Sequence, residues 1–319
     1  MRRETIPVQI LDKRKFTPRL FRTALDRISF DPKTTIIHGH GFLSVSSEMI
    51  YSKFLGAKGV VVHVQNIVPQ LTLKQILKKT ILDRVTNQFI AVSDDVASSL
   101  RRVKVSNITT IKNSADSSGW TFMARPKNQH LGFPSNAFVL GMVGRVVKYK
   151  GFDLFLDIIT GIKDVYGVIV GDGEYYPEVK RIIDRRNLSS KIKCFDFQAK
   201  LQDYYQLLDA LFLYSLHEGG PLVLLESQAV GVPYLGNEVG YVGEVVENGH
   251  NGYLIDNTNL SEINQRIQDI KTNRDRLRKN CRPIIEKGFS LRQQMKAIEH
   301  LYNSILGLPR GRYSSSCYR

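Results

Sequence analysis

Short runs of Val, Ile, Leu and Phe recur along the chain, and between them apolar residues return every three or four positions. The first pattern predicts buried strands and the second predicts helices. In the first third, strands are predicted at residues 8–11, 35–38, 59–64, 89–92 and 108–111. Helices are predicted at 17–28, 46–55, 71–85 and 95–100, the last capped by Ser93 or Asp94. Within 71–85, Leu73, Ile76, Leu77, Ile81 and Val85 recur at helical spacing, and Lys74, Lys78, Lys79 and Arg84 lie on the other side. The period is lost over 117–136, where Ser-Ser-Gly, Arg-Pro-Lys-Asn and Phe-Pro-Ser-Asn follow one another. From Ala137 it restarts, with strands at 138–143, 165–170, 191–195, 211–214 and 232–235. Ser261 is the expected cap of a further helix, followed by a basic stretch at 271–282 and a last helix at 291–306. Strands alternating with helices predict an α/β chain with parallel, doubly wound sheets.

The expected division is a first domain at 1–116, a linker at 117–136, a second domain at 137–288, a helix at 289–306 and a disordered tail at 307–319. A chain of 319 residues fits about two domains. Cys194, Cys281 and Cys317 are far apart and odd in number, which argues against a disulfide framework and for a reducing, cytoplasmic setting. Met1–Arg3 is followed by no apolar leader segment, and no run approaches the ~18 apolar residues of a spanning helix. The net charge of +15 implies an acidic partner. Zinc-finger spacing and aromatic–basic RNA motifs are absent from the sequence, so the expected partner is not nucleic acid. An anionic bilayer and a phosphorylated substrate both remain.

Chemistry concentrates between residues 209 and 257. A short strand there leads into a turn at 215–220, Pro221 stands where a helix would start, and Gly231 where it would stop. Glu218 lies on the turn and Glu226 just inside the helix, so both carboxylates reach one small volume at the end of a parallel strand. In open α/β sheets ligands bind at such strand ends. The backbone amides after Gly219 and Gly220, at Leu222 and Val223, open a helix N-terminus, a natural anion site. Arg145 and Lys150 follow another strand and can meet at one diphosphate, the first as a fork, the second as a point charge. A solvated loop is the plainer reading of these cations, and the helix macrodipole a plainer reading of Glu226. Gly171, Asp172 and Gly173 can equally be an ordinary turn, and Glu244 a surface helix start.

Glu218 and Glu226, with seven residues between them including Gly219-Gly220-Pro221, resemble the paired-glutamate signature of family 4 retaining glycosyltransferases. The resemblance extends through GRVVKYKG (144–151), VGDGE (170–174), NEVGYVGE (237–244) and NGHNGYLI (248–255), in the family's order. It implies a GT-B fold, with two Rossmann-like domains facing a cleft, and a retaining hexosyltransferase that needs no metal. The implied reaction takes a hexose from a nucleotide diphosphate sugar to a polysaccharide or lipid-linked acceptor, in assembly of capsule, exopolysaccharide or lipopolysaccharide. By the same resemblance Arg145, Lys150, Glu218 and His63 are catalytic. Gly171, Asp172, Gly173, Gly219, Gly220, Pro221, Leu222, Val223, Glu226 and Glu244 would hold the donor, with no cofactor.

Two positions depart from the family pattern: Ser114 stands in the Asn113–Asp116 turn where glycine is usual, and Asp196 stands in a loop where glycine is expected. His38 and His40 spell an HxH with no third ligand near them in sequence, a poor zinc motif, and the resemblance gives them a structural role. The glycine-rich loop and βαβ segment with which the family begins are not found, a shortfall of roughly 50 residues. A nucleotide-sugar-binding protein without turnover is therefore the alternative. A nicotinamide dehydrogenase would rest on GDGE alone. Members that build lipid-linked sugars dock on membranes, which gives Lys74, Lys78, Lys79 and Arg84 a place on the inner face of the plasma membrane; a merely solvated face is the plainer reading.

Overall fold

A computed structural model describes residues 17–27, 30–118, 120, 122 and 131–309. The strand predicted at 8–11, half of the predicted linker, Cys317 and the tail beyond 309 lie outside these residues. The chain forms two compact units, one of residues 1–92, 96–111 and 297–319, the other of 93–95 and 112–296.

The first unit holds a parallel sheet in the order β1 (Ile36–His40), β2 (Gly59–Val64), β3 (Gln88–Ala91), β4 (Ile108–Thr110). Its helices are α1 (Pro18–Arg27), α2 (Ser46–Phe54), α3 (Leu73–Val85) and α4 (Asp94–Arg102). β2 is buried along its whole length, as its uninterrupted Val-rich sequence requires between two covered faces. One face packs Val60, Val62, Leu82, Phe89 and Leu100 into a core. On the other, Val61 and Ile90 meet Ile298, Leu301 and Ile305 of the final helix.

The second unit holds six parallel strands, β5 (Phe138–Val143), β6 (Val165–Val170), β7 (Ile192–Phe195), β8 (Ala210–Leu213), β9 (Tyr234–Gly236) and β10 (Gly252–Leu254). Their order across the sheet is β10-β9-β8-β5-β6-β7. Helices α5 (Phe152–Gly161), α6 (Tyr176–Arg185), α7 (Gln202–Tyr205), α8 (Leu222–Ala229), α9 (Val242–Val245) and α10 (Leu260–Gly288) connect and cover them. α11 (Leu291–Leu306) follows, and from Ala297 its residues belong to the first unit. Strand order runs outward in opposite directions from β5 and β8, so the switch point of this sheet lies between their carboxyl ends.

Two predicted details need correction. Asn259, not Ser261, caps α10, its side chain accepting from the Ser261 amide at 2.9 Å. The basic stretch 271–282 is part of α10, which is broken only at Asn273 (φ −106°, ψ 15°).

Candidate functional site

The loop after β5 and the turn after β8 meet at the switch point. Gly151 is left-handed (φ 83°) and touches strand-end backbone; a Cβ there would lie 2.4 Å from the Tyr214 carbonyl oxygen. That contact lets the Tyr149 carbonyl accept from the Leu216 amide at 2.9 Å. The Tyr149 ring stacks on His217 with centroids 4.6 Å apart. Lys150 is thereby aimed at Glu218, its Nζ 3.2 Å from Oε1, and only 14% of either side chain is exposed. Ser215 donates to the same carboxylate oxygen at 3.0 Å. A Cβ placed on Gly144 would stand 3.8 Å from Lys150 Nζ and 3.7 Å from Val223, so Gly144, Lys150 and the first turn of α8 surround one spot. Arg145 is exposed beside it, donating to the Tyr149 hydroxyl at 3.2 Å.

Pro221 occupies the N-cap of α8 and no side chain caps the helix, so the first-turn amides of Leu222 and Val223 have no capping acceptor. An anion fits such a helix start. Glu226, one turn in, accepts from the Tyr205 hydroxyl at 2.8 Å. Burial raises its carboxyl pKa, and the Tyr205 hydrogen bond only partly opposes that.

Gly171 and Gly173 have a packing reason of their own. Both have positive φ, and a Cβ would lie 2.1 Å from the Gly144 carbonyl oxygen at the first and 2.3 Å from that of Val146 at the second. These approaches let the loops after β5 and β6 exchange backbone hydrogen bonds, Gly144 N–H to Val170 and Val146 N–H to Asp172. The exposed Asp172 side chain borders this seam. Gly219 is buried, and Gly220 packs against the Tyr241 ring, 2.3 Å from a would-be Cβ. The Asn113 amide donates to the Gly220 carbonyl at 3.1 Å, tying the 113–116 turn to the glutamate loop. Glu244 is ion-paired with Lys112.

Of the residues singled out from sequence, Gly144, Lys150, Glu218, Gly220, Pro221, Val223 and Glu226 thus gather around the β5–β8 switch point. Tyr205, Ser215, Tyr149 and Lys112 were not singled out. Ser215 was legible in the turn itself, whereas Tyr205 is 21 residues from Glu226 and no local pattern joins them.

In the first unit, His63 is buried at 4% exposure near the end of β2, and both its ring nitrogens lack hydrogen-bond partners among the described residues. It is opposite His40 in the β1–β2 register, and His38 lies on the same face. The expectation of no third ligand near His38 and His40 therefore fails, because pairing in space supplies what spacing in sequence does not. Burial, and then the neighbouring imidazoles, lower the pKa of both His38 and His63 to about 4.

Helix α3 also departs from expectation. Its apolar stripe is exposed, Leu73 at 87% and Leu77 at 65%, and Lys79, expected on the basic side, is buried at 8% beside the fully buried Leu82. Lys79 donates to the Lys104 carbonyl and lies 3.7 Å from Asp83, so it is no part of the basic surface. Lys74, Lys78 and Arg84 are exposed next to the apolar stripe. No helix among the described residues is long and apolar enough to cross a membrane.

Two parallel-sheet units, with the Lys150–Glu218 pair at the switch point of the second, define a GT-B-type α/β fold. The chain belongs to the family glycosyl transferases group 1, whose pattern matches residues 124–288, just over half of its length. It is 32% identical over 186 residues to the Escherichia coli UDP-Gal:alpha-D-GlcNAc-diphosphoundecaprenol alpha-1,3-galactosyltransferase, covering 55% of this chain and 48% of that protein. It is 28% identical over 187 residues to the lipopolysaccharide core biosynthesis mannosyltransferase LpsB of Rhizobium meliloti, covering 54% and 53%. The aligned segment spans about half the length of these relatives. The fold superposes on Anabaena Alr3699/HepE in complex with UDP and glucose, with TM-score 0.78, 20% identity, and coverage of 90% of this chain and 80% of that one. Sucrose-phosphate synthase from Thermosynechococcus elongatus gives TM-score 0.77 at 18% identity, covering 91% and 77%.

Proposed function

We propose that the chain is a retaining hexosyltransferase of bacterial envelope polysaccharide assembly, using a UDP-sugar and a saccharide or lipid-linked acceptor. The observation that carries this reading is the convergence of Lys150, Glu218 and the uncapped start of α8 at the switch point, with Glu226 one turn away. In the reaction the acceptor oxygen bonds to the anomeric carbon as the bond from that carbon to the diphosphate oxygen breaks. The acceptor proton passes to the departing phosphate oxygen on the same face of the sugar, as the family resemblance implies, and a nucleoside diphosphate leaves. Arg145, Lys150 and the α8 amides carry the negative charge that builds on the diphosphate, the place a metal ion takes in other transferases. Glu226 accepts from the ribose hydroxyls, held in position by Tyr205. Glu218 accepts from sugar hydroxyls, and its pairing with Lys150 keeps both charges neutralised until the donor arrives. Gly171, Asp172 and Gly173 border the base, Gly219, Gly220 and Pro221 shape the sugar side, and Glu244 lies at its rim. His63 is assigned a catalytic role by the family resemblance and is uncharged at neutral pH.

The acceptor side of this reading places the protein on the inner face of the plasma membrane. Leu73, Ile76, Leu77 and Ile81 would enter the headgroup boundary, while Lys74, Lys78 and Arg84 meet anionic lipid. The test is turnover of radiolabelled UDP-hexoses with undecaprenyl-diphosphate-linked saccharides. Labelled product with the α configuration retained supports the proposal; absence of transfer from every UDP- and GDP-hexose, with a folded protein, overturns it.

A further inference from the structure

We propose that His38, His40 and His63 form a binding site for a divalent zinc-class ion. Residues two apart in a strand point to the same face, which aligns His38 with His40, and the parallel β1–β2 register sets His63 directly opposite His40. One ring nitrogen from each of the three lies within 4.8 Å of the others. A tetrahedral ion with Zn–N bonds near 2.0–2.1 Å needs its nitrogens ~3.3 Å apart, so the rings must close by about 1 Å. Side-chain rotation suffices for that, since the ring centroids are already 4.7 to 5.4 Å apart.

The donors are available. Nε2 of His38 and both nitrogens of His63 are buried without a partner among the described residues, a costly arrangement that coordination would relieve. The outer partners fit as well. Tyr302 of α11 is hydrogen-bonded to Nδ1 of His38, which turns Nε2 towards the cluster, and Gln65 is 3.4 Å from Nδ1 of His40. Metal-binding imidazoles are oriented through their second nitrogen in this way. Ile298, Leu301 and Ile305 of the same helix cover the sheet face beside the cluster, while His40 is exposed and gives the ion its way in. Three imidazoles leave a fourth position for water or a hydroxyl ligand.

The site does not depend on the proposed transfer reaction, and its test reads binding, not turnover. The tag-free full chain is titrated with Co2+ followed by visible absorption, then with Zn2+ in competition and by calorimetry. We expect one equivalent of Co2+, displaced by Zn2+, with affinity reduced at least tenfold in His40→Ala and ten- to a hundredfold in Tyr302→Phe. His40 is exposed, so His40→Ala keeps the fold; His63→Gln tests the buried member, with circular dichroism to confirm folding. Unsaturable binding, unchanged affinity in a folded His40→Ala variant, or a thiolate charge-transfer band showing cysteine ligation would each overturn the site.

Discussion

Glu226 is a carboxyl that the fold buries at a cost. Burial raises its pKa above the ordinary 4.5, so the folded state holds the proton more tightly than the unfolded chain does. Its contribution to stability is complete below pH 4.5 and is lost as pH rises through the raised value. Glu226→Gln keeps an acceptor for Tyr205 but cannot ionise. We expect the variant to melt at or above the wild type at neutral pH, with the difference vanishing near pH 4, while donor affinity falls about tenfold. Calorimetric melts across pH 4–8 check the first part, and a wild type that gains stability over this variant with rising pH would contradict it. Gly171 bears a different constraint, with φ 135° and a would-be Cβ 2.1 Å from a backbone oxygen. Gly171→Ala should cost about 1–3 kcal/mol in urea unfolding, because strain there has no flexible neighbour to absorb it. Lys150→Ala leaves Glu218 nearly buried without its cation and should weaken donor binding at least tenfold.

Among the elements, every strand of the two sheets except β10 was legible in the described part of the sequence. Gly59–Val64, Phe138–Val143 and Val165–Val170 match their predicted bounds because each is a continuous apolar run between turn residues. β9 starts two residues later than predicted, at Tyr234, because the Val232 amide is taken by the Ser227 carbonyl at the end of α8. β10 was not read as a strand; three residues carry too little pattern, and its identity comes from pairing with β9. α3 was located correctly, but Lys79, read as part of its basic side, is buried. Periodicity reports that a helix has an apolar stripe and not which partner covers it, and here Lys79 and Leu82 pack inward. The glutamates and Lys150 were legible through their motif, whereas Tyr205 and the three-histidine cluster depend on contacts between distant segments. The membrane reading of α3 has its own test. The wild type should sediment with vesicles containing anionic lipid, and reversing charge at Lys74, Lys78 and Arg84 should reduce binding at least tenfold, at about 1 kcal/mol per basic residue. A wild type that stays in the supernatant would contradict it.

For the whole molecule, the division of labour follows the two units. The second carries the family match and the carboxylate–lysine site, and its sheet places both at one switch point. The first carries the exposed α3 surface and the histidine cluster. A net charge of +15 suits both an anionic donor and an anionic surface, so binding to either should weaken as salt is raised. The central claim is that the β5–β8 switch point holds a nucleotide diphosphate sugar. It is tested most directly by calorimetric titration of the full chain with UDP-galactose, UDP-glucose, UDP and GDP, beside Glu226→Gln and Lys150→Ala. We expect saturable one-site binding of a uridine ligand, weakened about tenfold or more in each variant. Absence of binding to any of the four, or equal affinity in wild type and both folded variants, would contradict it.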